Sequence, residues 1–429
     1  MKHSREIFAI ALPAIVSNIT TPLLGLVDVA VTGHIGAPVY IAAIAVGGTM
    51  FNMLYWLFNF LRMSTTGLTA HAFGAGGSEC ATILYRSMLA AILTGGMLLL
   101  LSEPLADTIL AFMDADDESS ALARRYFGIC IWGAPAVMLT YSMSGWFLGM
   151  QNSKAQMWMA IITNLVNTVI SIVLVFGFKM KIEGIATGTL TAQWIGAAAG
   201  ATFIFLRYRP EFPGLHKLLD TKPLLRFFRL NTDIFLRTAC LVAVTLWFTH
   251  AGAIQGTDVL AANALLLQLF MLFSFFMDGF AFSGEALTGK YHGAGDLKHL
   301  SSLIKSLMTT GLACALVFSI VYFLAGDMLL NVLAKDRSVT ELAGEYLPWA
   351  AAVPLCGFAA FIWDGIFVGL VRTRGMLMSM FAAMCVFFAA YFTFRPLLYN
   401  NAQWLAFNLY LLTRGLMQYL LYRRQISSL

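Results

Sequence analysis

Long apolar runs dominate the chain, and short polar or charged segments separate them. Each run reaches about twenty residues or more and carries few charges, which is typical of a transmembrane helix. The runs lack the two-residue alternation of apolar and polar positions that a membrane-spanning barrel requires. The pattern therefore predicts an all-α protein with about twelve helices, at 7–33, 39–70, 81–101, 123–150, 156–178, 184–208, 229–251, 258–289, 299–325, 341–371, 375–394 and 402–422.

Composition agrees with an integral membrane protein. The chain is 59% hydrophobic and 11% charged, whereas a soluble domain carries about 25% charged residues. The apolar stretch after Arg5 is too long for a signal peptide and contains Asp28. The six cysteines are scattered, so we interpret them as small packing residues.

The distribution of basic residues predicts the orientation. Seventeen of the 27 Lys and Arg residues lie on one side of the membrane if the N-terminus is cytoplasmic, and seven lie on the other, together with the acidic segment 114–118. Cytoplasmic loops collect positive charge, so we predict a multi-pass membrane protein with both termini cytoplasmic. The net charge of +5 then reflects loop sidedness and not a nucleic-acid partner.

The second half of the chain resembles the first at a nearly constant offset, close to half the chain length. Ala42-Ala43 matches Ala261-Ala262, Gly74-Ala75-Gly76 matches Gly293-Ala294-Gly295, and Gly145-x-Phe147-x-Gly149 matches Gly365-x-Phe367-x-Gly369. With six helices in each half, both copies enter the membrane from the same side, which makes the repeat parallel. We predict two six-helix bundles around a central cavity, with an N-terminal lobe at 1–206, a basic cytoplasmic linker at 207–228 and a C-terminal lobe at 229–429.

The first predicted helix carries an isolated acid. Asp28 has no basic residue within a turn, and its helix is interrupted by Pro13, Pro22 and Gly25, which allow bending. A lone carboxylate in lipid is easier to protonate near neutral pH and is functional by default. We therefore predict that Asp28 exchanges protons. The alternative is an aspartate that only holds neighbouring helices together by hydrogen bonds.

The fifth and sixth predicted helices offer polar partners. Asn164, Asn167 and Ser171 are spaced three and four apart, which places them on one helix face. Thr187, Thr189 and Thr191 add hydroxyl groups on the next helix. Such stripes either serve a site or attach helices to each other, and the sequence supports both interpretations.

The C-terminal half contains three further acids within apolar runs, namely Asp278, Glu285 and Asp364. An acid at the bilayer centre costs roughly 2.5–3.5 kcal/mol on insertion scales, so these are candidates for cation or substrate binding. Asp233 lies four residues before Arg237, and this spacing predicts a local ion pair. Arg62 and Arg414 are candidate partners for buried acids.

The motifs resemble those of the multidrug and toxic compound extrusion (MATE) family over essentially the whole chain. The first helix reads PLLGLVDVAVTGHIG at 22–36. The branch named for DNA-damage-inducible protein F (DinF) is resembled at Leu61–Gly67 and Asp278–Phe282. Other matching segments are Phe60–Ala70, Phe73–Gly76, Gly145–Gly149, Asn164–Asn167, Leu272–Gly295 and Asp364–Gly369.

The resemblance implies an antiporter of the bacterial inner (plasma) membrane that expels organic, often cationic, drugs by alternating access. It implies that protonation of Asp28 bends the first helix at Pro13, with Asn167 and Thr189 in the hydrogen-bond cluster around the acid. Related antiporters often carry a second aspartate where this chain has Ser171, so a single proton is the simpler coupling ion and Na⁺ the alternative. Asp364 matches a helix-10 acid of the NorM branch, whose helix-7 acid has no clear counterpart in this sequence.

Competing functions fit less well. A lipid-linked sugar flippase of the same superfamily would have more helices and a cationic cavity. Major facilitator transporters carry a basic signature between helices two and three that is absent from 73–80, and the seven scattered histidines show neither metal spacing nor a nucleophile elbow. We therefore expect a monomer that is not an enzyme, has no cofactor beyond its coupling ion, and has small-molecule drugs or toxic organic cations and membrane lipid as partners.

Overall fold

The computed structural model describes residues 3–33, 38–113, 117–334 and 336–426. Within these ranges the regular elements are helices, and no strand is assigned. The first half contains α1 (Ser4–Gly33), α2 (Pro38–Leu57), α3 (Phe60–Gly74), α4 (Cys80–Leu100), α5 (Ser102–Met113), α6 (Asp117–Cys130), α7 (Ala134–Gly149), α8 (Ser153–Ile172) and α9 (Ile182–Arg207).

The second half begins with a short linker helix and continues with longer helices. Its elements are α10 (Leu215–Leu218), α11 (Thr221–Ile254), α12 (Thr257–Gly293), α13 (Leu297–Leu333), α14 (Arg337–Gly369), α15 (Thr373–Leu398) and α16 (Asn400–Ile426). Proline interrupts hydrogen bonding inside α14, which nevertheless continues through Pro348 and Pro354.

The predicted transmembrane segments are confirmed as helices. Each of the twelve coincides with one helix or with two consecutive helices: α2 and α3 share the second segment, and α6 and α7 share the fourth. In the described part of the chain, ten helical stretches are long and apolar enough to cross a membrane. The other two predicted segments correspond to α1 and α16.

The helices form two compact units by their contacts. The first unit is Leu12–Arg226. The second, called the C-terminal unit below, combines Phe227–Leu429 with Met1–Ala11. The chain thus passes from one unit to the other inside α1, between Ala11 and Leu12. In the first unit, α3 and α4 pack on α7, and α8 packs on α9. In the second unit, α12, α13 and α16 pack on α14, and α15 packs on α16.

The repeated glycine motif marks a close helix crossing in each unit. A Cβ atom added at Gly145 of α7 would lie 2.3 Å from the carbonyl oxygen of Arg62 in α3. One added at Gly365 of α14 would lie 2.2 Å from the carbonyl oxygen of Ala281 in α12. Because small residues let helix backbones approach closely, the two glycines permit the same crossing twice.

The second glycine of the motif behaves in the same way. A Cβ atom at Gly149 would lie 2.5 Å from the Cβ atom of Thr69, and one at Gly369 would lie 2.9 Å from that of Thr288. Thr69 and Thr288 are themselves related by the offset of the repeat. The offset found in the sequence therefore relates contacting pairs of residues as well as single positions.

Candidate functional site

The structure places the candidate residues of the first helix on one continuous element. Pro13 and Pro22 both lie inside α1, and among the described residues no atom lies within 4 Å of a Cβ atom added at Gly25. Asp28 belongs to the same helix, but its side chain lies outside the described residues. Its predicted hydrogen-bond partners therefore stay a prediction.

Three of the candidate polar residues on α8 and α9 come together. Asn167 and Ser171 are buried. The Asn167 side-chain amide donates to the Oγ1 atom of Thr189 at 3.0 Å, and the Ser171 hydroxyl donates to the Asn167 Oδ1 atom at 3.4 Å. Thr189 in turn donates to the carbonyl oxygen of Ile185. This group, called the α8–α9 polar cluster below, is uncharged and links the two helices.

Asn164 lies one turn before this cluster and is only partly buried. Its Nδ2 atom is buried without a hydrogen-bond acceptor among the described residues. Gly188 lets α9 approach the cluster, because a Cβ atom there would lie 2.3 Å from the Ser171 Oγ atom. The geometry thus joins Asn167, Ser171 and Thr189 and leaves Asn164 beside them.

In the C-terminal unit, Asp364 of α14 is the centre of a buried charged cluster. Arg237 of α11 and Arg414 of α16 both donate to its Oδ2 atom. Gln418 of α16 donates to its Oδ1 atom at 2.5 Å. Asp364 and Arg414 are 5% and 3% exposed, so the ion pairs are shielded from solvent. We call these four residues the Asp364 cluster.

Two cations and one amide engage this carboxylate. Asp364 and Arg414 form an ion pair, which confirms the expectation that Arg414 serves a buried acid. The Arg414 guanidinium also lies near the ring of Phe361, at 5.6 Å from its centroid. A carboxylate held by two guanidinium groups has little negative charge left for another cation.

The expected ion pair between Asp233 and Arg237 is wrong. Although four residues separate them on α11, Arg237 pairs with Asp364, while Asp233 accepts a hydrogen bond from Thr373 of α15 at 2.8 Å. A buried carboxylate on a neighbouring helix can displace the local partner, because an ion pair on one helix surface contributes only a few tenths of a kcal/mol.

The two other C-terminal acids lie on α12. Glu285 is buried and Asp278 is half-buried. Arg62 of α3 donates from its Nε atom to the Asn59 side chain at 3.2 Å. In the described part of the chain, no three His, Cys, Asp or Glu side chains meet as a metal site would require.

Sequence reasoning missed two residues of these clusters. Gln418 contacts Asp364, and Thr373 contacts Asp233. A signal for Gln418 was available, because it lies four residues after Arg414 on the same predicted helix and therefore on the same face. Thr373 opens α15 next to a loop and carried no distinguishing pattern.

Comparison with known families and proteins agrees with the repeat. The family model MatE matches the chain twice, at residues 13–173 and 233–392. The starts of the two matches are separated by the same number of residues as Gly145 and Gly365, and their ends by the same number as Gly74 and Gly293. The two halves of the chain are therefore two copies of one family unit.

Individual relatives cover nearly the whole chain. DNA damage-inducible protein F of Escherichia coli K12 is 36% identical over 423 residues, which are 98% of this chain and 92% of that protein. The probable multidrug resistance protein NorM of Thermotoga maritima is 23% identical, over 79% of this chain and 74% of its own length. A crystal structure of a MATE protein in a bent conformation has a TM-score of 0.89 at 16% identity, covering 99% of this chain and 95% of the other.

Proposed function

Because the chain belongs to the MatE family, whose members are multidrug and toxic compound extrusion transporters, we propose that it exports organic, often cationic, compounds in exchange for protons. The chain is a multi-pass membrane protein by its family and its apolar helices. The direction of transport, the proton as coupling ion and the role of single residues are parts of the proposal.

The contacts of Asp364 are the observation that supports the choice of Asp28 as the proton-binding residue. Proton exchange requires an acid that can change its charge during the cycle. Asp364 is held by two arginines and one glutamine, so protonating it would leave two guanidinium groups without their counter-ion. Asp28 has no basic residue within a turn of its helix. The proton therefore binds at Asp28, and the Asp364 cluster keeps a constant charge.

The α8–α9 polar cluster supports a proton in preference to Na⁺. It contains amide and hydroxyl groups but no second carboxylate, since Ser171 occupies the position where related antiporters often carry an aspartate. One acid and one proton neutralise each other completely. A sodium ion would bind beside a single carboxylate with only neutral oxygen ligands.

Helix bending is the proposed link between the proton and the transport cycle. Pro13 and Pro22 cannot donate backbone hydrogen bonds inside α1, which lowers the cost of a bend at either position. A bent form has been described for a MATE protein with the same fold. Protonation of Asp28 would shift the balance between straight and bent forms of α1.

The test is transport in proteoliposomes under an imposed pH gradient. Asp28→Asn should abolish proton-driven export of a fluorescent organic cation, because an amide cannot release a proton. Asp258→Asn, which removes an exposed acid on α12, should export at the wild-type rate. Proton-driven export by Asp28→Asn at the wild-type rate would contradict the proposal, and export driven equally well by a Na⁺ gradient would replace the proton by sodium.

A further inference from the structure

The start of α1 is attached to α12 through the carboxylate of Glu6. Tyr291 donates its phenolic hydrogen to the Glu6 Oε2 atom at 2.9 Å, and the His3 Nδ1 atom lies 3.1 Å from the same oxygen. Lys290 places its Nζ atom 3.6 Å from Oε1. Hydrogen bonds to a charged carboxylate are stronger than those between neutral groups, so these contacts hold the first turn of α1 in place.

Further contacts with α12 extend this attachment along α1 toward Ala11. The Ser283 hydroxyl of α12 donates to the carbonyl oxygen of Ile7 at 2.9 Å. Phe8 meets Phe280 edge to face, with ring centroids 5.8 Å apart. Ile7, Ile10 and Ala11 are at most 3% exposed. We call His3–Ala11 the α1 anchor.

Aromatic contacts tie the anchor to the adjoining helix ends. His3 meets the rings of Tyr291 and His299 edge to face, and those two rings stack at 5.8 Å. His299 lies in the first turn of α13, where Asp296 accepts a hydrogen bond from its backbone N–H at 3.0 Å. The end of α12 and the capped start of α13 therefore both hold the anchor.

The anchor ends where the helix can bend. Ala11 is its last residue, and from Leu12 the chain groups with the other unit. Pro13 follows at once and has no backbone N–H to donate. Above this point the helix carries Pro22 and Asp28. A fixed segment, a proline and an acid thus follow each other along one helix.

We propose that Glu6 and Tyr291 are positioning residues for transport. They fix the first turns of α1 to α12, so that a change in α1 caused by protonation is confined to the helix from Pro13 onward. A bend moves a defined part of a helix only if the other part is held. This inference rests on the proposed function, and it assigns to the C-terminal unit the fixed end of the moving helix.

Amide hydrogen exchange, followed by mass spectrometry on the full-length protein in detergent, tests the anchor without any transport step. Tyr291→Phe removes the hydroxyl that contacts Glu6, and it should raise exchange roughly tenfold in residues 3–11 while exchange elsewhere stays as in the wild type. Ser283→Ala removes the contact to Ile7 and should have the same local effect. Tyr399→Phe, an exposed tyrosine on the same unit, is the matched control.

Transport by the same variants tests the positioning role. Tyr291→Phe should lower the maximal export rate and leave the half-saturating drug concentration unchanged, because drug binding does not depend on the anchor. Glu6→Gln retains an oxygen acceptor for Tyr291 and should lower the rate less than Tyr291→Phe does. Unchanged exchange in residues 3–11, or raised exchange with an unchanged export rate, would overturn the inference. If Asp28→Asn transports normally but Tyr291→Phe still shows raised exchange and a lower rate, the proton assignment fails and the anchor does not.

Discussion

Arg414 and Asp364 form an ion pair inside the C-terminal unit, where 3% and 5% of their respective surfaces are exposed. Removing one member of such a pair leaves the other as an uncompensated buried charge, at a cost of roughly 3–5 kcal/mol. Asp364→Asn should therefore lower the thermal unfolding temperature in detergent strongly. Asp327→Asn, which changes an exposed acid, should leave it unchanged.

We expect a second substitution at this ion pair to offset part of the stability that Asp364→Asn loses. In Asp364→Asn the arginines remain charged, so adding Arg414→Gln removes one of the two unpaired cations and should recover part of the lost stability. The comparison is made by thermal unfolding of the single and double variants. A double variant that loses the sum of both single effects would show that the two side chains act independently.

The glycine crossings should not tolerate a side chain in either unit. A methyl group at Gly365 or Gly145 would approach a backbone carbonyl oxygen to within 2.2 or 2.3 Å, and backbone in a packed helix cannot move away cheaply. Gly365→Ala and Gly145→Ala should each destabilise the protein by about 1–3 kcal/mol or prevent folding. Gly96→Ala is the control, because a Cβ atom there meets no atom of the described part of the chain within 4 Å. Equal expression and unfolding temperature of all three variants would contradict the close crossing.

Thr189→Val tests the α8–α9 polar cluster with a side chain of nearly the same shape. It removes the acceptor of the Asn167 amide, which is 3.0 Å away, and an unsatisfied buried donor costs about 1–3 kcal/mol. Thr191→Val removes a hydroxyl bonded to Thr187 of the same helix and should have little effect. Both are compared by unfolding temperature and by the pH dependence of export. If the cluster also serves Asp28, Thr189→Val alone shifts that pH dependence.

We predict that Arg86 stabilises the folded conformation of the linker at 207–228. Its Nη2 and Nε atoms donate to the carbonyl oxygens of Lys217 and Leu218, at 2.7 and 3.2 Å. Arg86→Met removes both donors and should make residues 208–220 more sensitive to limited proteolysis. Lys154→Met, at an exposed position, serves as the control. A cleavage rate in Arg86→Met equal to that of the wild type would show that other contacts, such as that of Tyr85 with Pro210, hold the linker alone.

The sequence predicted the helices well because a membrane makes each segment identifiable from its own apolar residues. It also located the repeat, whose glycines were visible as a motif before their contacts with Arg62 and Ala281 were known. Pairings between residues that lie far apart in the chain were harder to predict from the sequence. The spacing rule compared Arg237 only with residues on its own helix and therefore chose Asp233, whereas the actual partner, Asp364, is 127 residues away.

The pairing of Arg237 with Asp364 has a consequence for how the protein is made. The ribosome adds about 5–20 residues per second, so a separation of 127 residues means that α11 emerges roughly ten seconds before its counter-ion. During that interval Arg237 has no Asp364, and an arginine at the centre of a lone helix costs roughly 2.5–3.5 kcal/mol to insert. Arg414 and Gln418 arrive later still, on α16. Because the charges of Arg237 and Asp364 already balance, α16 adds a second cation and an amide to an acid that Arg237 can already pair, which makes a late assembly step inherent in the biogenesis of this protein.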